Sequence, residues 1–339
     1  MLHIFLTAAN AVLPILLLIL LGYLLRRSGF LTDAFLKNAS KMVFRIGLSC
    51  LLFVNVYNIT DLSSVSWSFI AYIIGVTFLL FLFGYVSAIL TTSIPERRGV
   101  VLQYTFRSNF AIIGLPLAAA LGGDEATAIA SLISAFILPI YNILGVVALT
   151  MFVGERDSEK PGIKQMILPI LRNPIVLGAV AGLLCVILRE TQILLFDKTV
   201  FSLKRDLPFL YEAINNIKVM TTPLALIVTG AQFQFYAVKG MFKEIAVGTL
   251  WRIVFAPIIG VGGALLASHF GLLTCGVGEI ATLIALFGAP AAVSGAVMAG
   301  EMGNDEQLAT QHVIWTSIGS VVTIFLQVCI LMATGILNI

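Results

Sequence analysis

Asn109-Phe110-Ala111-Ile112-Ile113-Gly114-Leu115-Pro116 and Leu286-Phe287-Gly288-Ala289-Pro290 decide the reading of this chain. Each puts Gly-x-Pro inside an apolar stretch long enough to cross a bilayer. Proline lacks the backbone donor and clashes with the preceding turn, so each helix is expected to break or kink there. Unpaired backbone groups at membrane depth survive only against protein or a water-filled cavity. Paired interruptions in corresponding halves of a chain are the best sequence pointer to the binding site of a secondary transporter.

The surrounding composition fits that setting. Of 339 residues, 59% are hydrophobic and 11% charged, against about 25% charged in soluble domains. The fold class is all-α and polytopic in a membrane. A net charge of +3 makes no case for nucleic acid. Cys50, Cys185, Cys275 and Cys329 sit in apolar segments without metal-ligand spacing, so they read as buried small residues, and no metal is expected. A membrane helix needs roughly 20 apolar residues. Ten spans follow: 4–25, 38–57, 67–91, 98–121, 126–152, 167–188, 207–235, 244–267, 276–300 and 308–335. The first lacks a basic lead-in and reads as a membrane helix rather than a signal peptide.

Basic residues set the orientation. Arg26, Arg27, Lys37 and Lys41 follow span 1, Arg97 and Arg98 follow span 3, Arg156, Lys160 and Lys164 follow span 5, and Lys239 and Lys243 follow span 7. The loops after spans 2, 4 and 8 have none, and the loop after span 6 is an exception with Arg189, Lys198, Lys204 and Arg205. The expectation is a multi-pass cell-membrane protein with both termini extracytoplasmic. Five spans per half then make any repeat an inverted one. Pro14 and Gly22 in span 1 match Pro174 and Gly182 in span 6 at the same spacing; Gly-Leu-Pro in span 4 matches Gly-Ala-Pro in span 9. Asp124-Glu125 opens span 5 as Asp305-Glu306 opens span 10, acidic residues suiting helix N-termini. The halves are 1–153 and 167–339, joined by a polar cytoplasmic linker, 154–166.

After each break a new half-helix begins, with proline near its first position, where the missing donor costs nothing. Two such N-termini facing each other present partial positive charge and free N–H groups, which suits an anion such as a carboxylate. Arg107 lies near mid-membrane, where an arginine costs roughly 2.5–3.5 kcal/mol on insertion scales and is a functional hypothesis by default. It is either a bidentate clamp for a substrate carboxylate or a brace on the broken backbone. Asn109 either binds substrate or satisfies the freed backbone. Gly114, Pro116, Gly288 and Pro290 shape the break, and Ser49 and Thr222 from spans 2 and 7 complete the candidate substrate set. His312 is the candidate for ion coupling. Arg252, in span 8, is either functional or snorkelling toward the interface. None of the seventeen Asp and Glu residues sits deep in a span, which favours an anionic or neutral substrate over a cation. No nucleotide loop, metal cluster or nucleophile set converges, so the chain does not read as an enzyme.

These residues resemble a known family. Asn109 through Pro116 is similar to the helix-4 signature of the auxin efflux carrier family, which includes bacterial malate and malonate permeases. Thr222-Pro223-Leu224-Ala225-Leu226-Ile227-Val228-Thr229-Gly230 resembles its helix-7 segment, and Gly288 through Glu306 its helix 9–10 region. The resemblance implies a ten-helix 5+5 inverted repeat with crossed broken helices 4 and 9, the fold of sodium/proton antiporters and bile-acid symporters. It implies a scaffold of helices 1, 2, 6 and 7, a transport domain of helices 3–5 and 8–10, elevator-like motion, organic-anion substrates and a homodimer through the scaffold. Ser49-Cys50-Leu51-Leu52-Phe53 departs from the family in lacking a preceding proline, and the plant members' long loop is absent. Bacterial-type length favours a small mono- or dicarboxylate, malate- or malonate-like, at a bacterial inner membrane. No cofactor is expected; proton or sodium coupling is left open. The rival readings are a sodium-coupled bile-acid-type symporter and a receptor that keeps the fold without transport.

Overall fold

The computed structural model describes residues 2–58, 66–152, 172–233 and 235–337. The 154–166 linker and Asp61 lie outside the described residues. The main helices are α1 (Leu2–Arg27), α2 (Asp33–Tyr57), α3 (Trp67–Thr91), α4 (Pro95–Phe106), α5 (Phe110–Thr150), α6 (Pro174–Phe196), α7 (Pro208–Gln232), α8 (Phe242–His269), α9 (Val277–Gly288), α10 (Ser294–Glu301) and α11 (Glu306–Ala333). Six of these, α2, α3, α5, α6, α8 and α11, are long and apolar enough to cross a membrane. Among the described residues the fold is helical throughout, apart from an isolated antiparallel bridge between Ser108 and Ala291.

α5 is two helices in one path. Gly122 and Gly123 leave helical geometry, Gly123 with φ +60°, which only glycine adopts without strain. The second stretch opens at Asp124. α11 opens similarly: the Asp305 carboxylate accepts from the Leu308 N–H at 2.9 Å, satisfying one of the donors a helix start leaves free.

The centre of the molecule is α4 and α9. Residues Gly99–Phe106 of α4 and Ile280–Gly288 of α9 are buried without a break, as expected of a helix enclosed on every side. α3 and α6 lie outside, with Leu82, Leu90, Leu177 and Leu184 exposed. In a membrane protein such leucines face lipid. α1 packs mainly on α7, and α2 mainly on α6. Both contacts use close backbone approach. A Cβ on Gly22 would stand 2.0 Å from the Ile227 carbonyl oxygen; one on Gly182 would stand 2.9 Å from the Phe53 carbonyl oxygen. The two glycines that match between the halves of the sequence therefore do the same work in two different helix pairs.

At one end of the molecule Arg97, at the start of α4, ties three elements together. Its guanidinium donates to Asp305 (2.9 Å), Glu244 (3.0 Å) and the Gly240 carbonyl (3.0 Å).

Candidate substrate site at the crossing of two broken helices

α4 stops at Phe106 and the chain resumes as α5 at Phe110. α9 stops at Gly288 and resumes as α10 at Ser294. The two interruptions meet. The Asn109 N–H donates to the Pro290 carbonyl at 2.7 Å, and the Ala292 N–H to the Arg107 carbonyl at 3.3 Å. Thr316, on α11, accepts from the Ala291 N–H at 3.0 Å. Buried backbone groups must find partners, and these three bonds satisfy much of what the two breaks release.

The second break sits at Ala289-Pro290, as its motif predicts. The first does not sit at Gly114-x-Pro116. It lies upstream, at Arg107–Asn109, and Phe110–Gly114 already forms a wide π-type helical turn. Pro116 therefore falls near the start of regular helix, where a missing donor is harmless. Gly114 serves contact instead: a Cβ there would stand 2.9 Å from the Ala285 carbonyl of α9.

Two arginines flank the crossing, and both are buried. Arg252 reaches the carbonyl-bearing ends. Its guanidinium donates to the Phe106 carbonyl (2.9 Å), the last of α4, and to the Phe287 carbonyl near the end of α9. Helix C-termini carry partial negative charge, so a cation there is stabilised. Arg107 lies on the other side. Nη1 donates to Gln103 Oε1 (3.3 Å) and Met298 Sδ (2.9 Å), and Nη2 to Asn142 Oδ1 (2.7 Å) and Ser294 Oγ (2.8 Å). All four partners are neutral. No carboxylate pairs with either arginine among the described residues. A buried charge of this kind costs several kcal/mol in lost hydration, which neutral hydrogen bonds offset only in part.

A cavity of about 60 Å³ opens against Arg107, several water-sized sites at roughly 10–15 Å³ each. Its polar wall is the crossing: Arg107, Ser108, Asn109, Asn142 and Ser294. Facing it are Leu48 and Leu51 of α2 and Thr221, Thr222 and Ala225 of α7. Ala111 and Ile112, in the first turn of α5, also border it. The N–H groups of a first turn have no partner within their own helix, so the cavity meets partial positive charge as well as Arg107.

Residues 7–328 match the family described as membrane transport protein. The chain belongs to this auxin efflux carrier family of membrane transport proteins. No curated protein matches it. As a family member it is a multi-pass membrane transporter.

In this membrane transport protein, the crossing gathers some of the residues singled out from sequence and not others. Arg107, Asn109 and Thr222 line the cavity. Asn109 keeps its side-chain Nδ2 unpartnered and buried, while its main-chain N–H serves the break. Pro290 contributes its carbonyl to the bridge, and Gly288 ends α9; neither borders the cavity. Ser49 does not reach it: its hydroxyl donates to the Arg45 carbonyl at 2.9 Å. His312 lies apart, against Tyr104. Arg252 does not snorkel; it is fully buried on the broken backbone. Ser294 and Met298 carry no local sequence signal; both lie in α10 and acquire meaning only where α10 meets Arg107.

Proposed function

We propose that this chain is a secondary transporter or facilitator for small organic anions, mono- or dicarboxylates of malate-like size, binding at the crossing. The observation that carries the reading is Arg107: a buried guanidinium with neutral partners only, bordering a cavity. A carboxylate in that cavity supplies the missing counter-charge and accepts from Arg107, from Asn109 Nδ2 and from the first-turn N–H groups of α5. Thr222 lies on the facing wall.

The mechanism proposed is an elevator motion. Ten spans in a 5+5 inverted repeat, with halves 1–153 and 167–339, form a scaffold from α1, α2, α6 and α7, and a transport domain from α3–α5 and α8–α11. The cavity supports this division, since α2 and α7 supply one wall and the crossing the other. The equivalent glycine contacts of Gly22 and Gly182 support the repeat. A scaffold-mediated homodimer, an inner-membrane location and extracytoplasmic termini belong to the same proposal.

The test is thermal stabilisation of purified protein against a panel of mono- and dicarboxylates, with and without sodium, beside Arg107→Ala. The expected result is a carboxylate-dependent rise in melting temperature that the variant loses. An Arg107→Ala protein that folds and keeps full carboxylate affinity removes the clamp. A rise that requires sodium assigns the coupling ion.

A further inference from the structure

His312 sits one layer away from the crossing, on α11. It is fully buried on α11, and neither ring nitrogen has a hydrogen-bond partner. Its ring lies directly on the backbone of α8: a Cβ on Gly248 would stand 2.2 Å from the imidazole Cε1. On its other side is Tyr104 of α4, with ring centroids 5.3 Å apart. The Tyr104 hydroxyl is buried and unpartnered as well. Buried polar atoms almost always find a protein group or an ordered water. Here two neighbouring rings carry three buried polar atoms without a partner.

These two rings stand next to the crossing. Tyr104 precedes Arg107 by one helical turn on the same helix face. Thr316, whose hydroxyl holds the Ala291 N–H of the second break, stands one turn along α11 from His312 and donates to its main-chain carbonyl at 2.6 Å, not to its ring. The ionisable groups around His312 can be named element by element. From α4 there are Tyr104 and, one turn further, Arg107. From α8 there are Glu244 and Arg252, one turn to either side of Gly248 on the same face. Glu244 is already paired with Arg97, and Arg252 with the two carbonyls. α10 offers only Glu301 and α9 only Glu279, each at the end remote from the break. α11 itself carries Glu306 in its first turn. α7 offers Tyr211, Glu212 and Lys218, and α1 Tyr23, Arg26 and Arg27. Among the described residues, no carboxylate is hydrogen-bonded to the ring.

We propose that His312 is a proton-binding site linked to anion occupancy of the Arg107 cavity, making the carrier a proton–anion symporter. The proposal rests on the anion reading above and names its coupling ion. An anion at Arg107 places negative charge beyond Tyr104, whose ring lies against the imidazole; a proton on the imidazole places positive charge on the other side of that ring. Each favours the other, and by linkage the effect is reciprocal. In a fully buried site the neutral ring is the favoured form until a nearby anion compensates its charge, so proton uptake is tied to the anion. No covalent step is involved: one proton is taken up at a ring nitrogen with the anion and released with it.

Calorimetric titration of the purified carrier with malonate and with acetate, in buffers of different ionisation enthalpy, counts protons taken up on binding. The expected result is about one proton per bound anion, and anion binding without proton uptake in His312→Gln. Binding without uptake in the native protein, or uptake that persists in His312→Gln, overturns the proton site and leaves the anion reading standing. A second readout does not depend on that variant folding. His3 and His269 are the other histidines, so ¹⁵N-histidine spectra of a His3→Gln, His269→Gln protein report His312 alone. An imidazole that gains its proton between pH 8 and 5, at higher pH when anion is present, supports the assignment; one that stays neutral throughout, with or without anion, overturns it. If no carboxylate binds at all, the anion reading fails, and the same spectra still decide whether His312 takes up a proton.

Discussion

Arg252→Met separates the two arginines by what each holds. Methionine keeps most of the side-chain volume and removes the charge and the donors. Arg252 now meets the C-terminal ends of α4 and α9 through the Phe106 and Phe287 carbonyls. Each helix end carries roughly −0.5 of an elementary charge, so the two together amount to about one counter-charge for one guanidinium. The arrangement is in effect a buried ion pair whose anion is made of backbone. Removing one partner of a buried pair costs roughly 3–5 kcal/mol. Two charge-assisted hydrogen bonds, at roughly 1.5–3 kcal/mol each, give a similar figure. Arg107→Met is the control. Its partners Gln103, Asn142 and Ser294 are side chains, free to turn toward one another or toward water in the cavity, and the lost charge had no counter-ion. Its stability should be no lower than that of the native protein. The assay is unfolding of the purified variants in one detergent, by scanning fluorescence at a fixed scan rate. A shift of roughly 2–4 °C per kcal/mol puts Arg252→Met about 6 °C or more below native, with Arg107→Met at or above native. Equal melting temperatures for native and Arg252→Met, or a larger loss in Arg107→Met, would refute the assignment of Arg252 to the backbone.

Other substitutions test other parts of the fold. Thr316→Val leaves the buried Ala291 N–H without its acceptor and should cost roughly 1–3 kcal/mol, read in the same assay; an unchanged transition would mean the break at Ala289–Val293 finds another partner. Gly22→Val forces α1 off α7 at a contact where no Cβ fits; the expected outcome is loss of monodisperse protein on size exclusion, whereas Gly75→Val, where nothing lies within 4 Å, should purify normally. Arg97→Met strands Asp305 and Glu244, whose side chains are 19% and 10% exposed. Its melting temperature should fall, and the deficit should shrink as pH drops through the carboxylate range and the stranded Glu244, held low by Arg97 in the native protein, becomes protonated.

How much of this was legible in the sequence depended on whether the signal was local. Helix positions were so in part: the stretches 67–91 and 308–335 form α3 (Trp67–Thr91) and α11 (Glu306–Ala333), whereas the stretch at 167–188 gives a helix over Pro174–Phe196 and those at 98–121 and 126–152 give α4 and the long path of α5. The break at Ala289-Pro290 was also local, because proline ends α9 directly. The break at Arg107–Asn109 was not. Its position is fixed by hydrogen bonds to Pro290 and Ala292 across the fold, and Gly114-x-Pro116 marked the neighbourhood rather than the site. Arg252 was ambiguous for the same reason. Its acceptors lie 146 and 35 residues away, and no window along α8 distinguishes a snorkelling arginine from one that caps two broken helices. Ser49 failed in the opposite direction: a helix serine usually bonds its own backbone, and this one does.

The charges at the crossing also bear on which sign of substrate it suits. On one side, two helix C-termini at roughly −0.5 each meet Arg252 at +1, and the sum is near zero. On the other, the N-termini of α5 and α10 at roughly +0.5 each meet Arg107 at +1, and the sum approaches +2. A cation carrier would need this reversed, with a carboxylate among the half-helix starts. The imbalance lies on the side that carries the cavity. A single carboxylate leaves part of it uncompensated; a dicarboxylate answers more of it. Neutral amides of the same shape answer none. The carrier should therefore discriminate malonate from malonamide far more sharply than malonate from acetate, because the first comparison removes the charge and the second only reduces it.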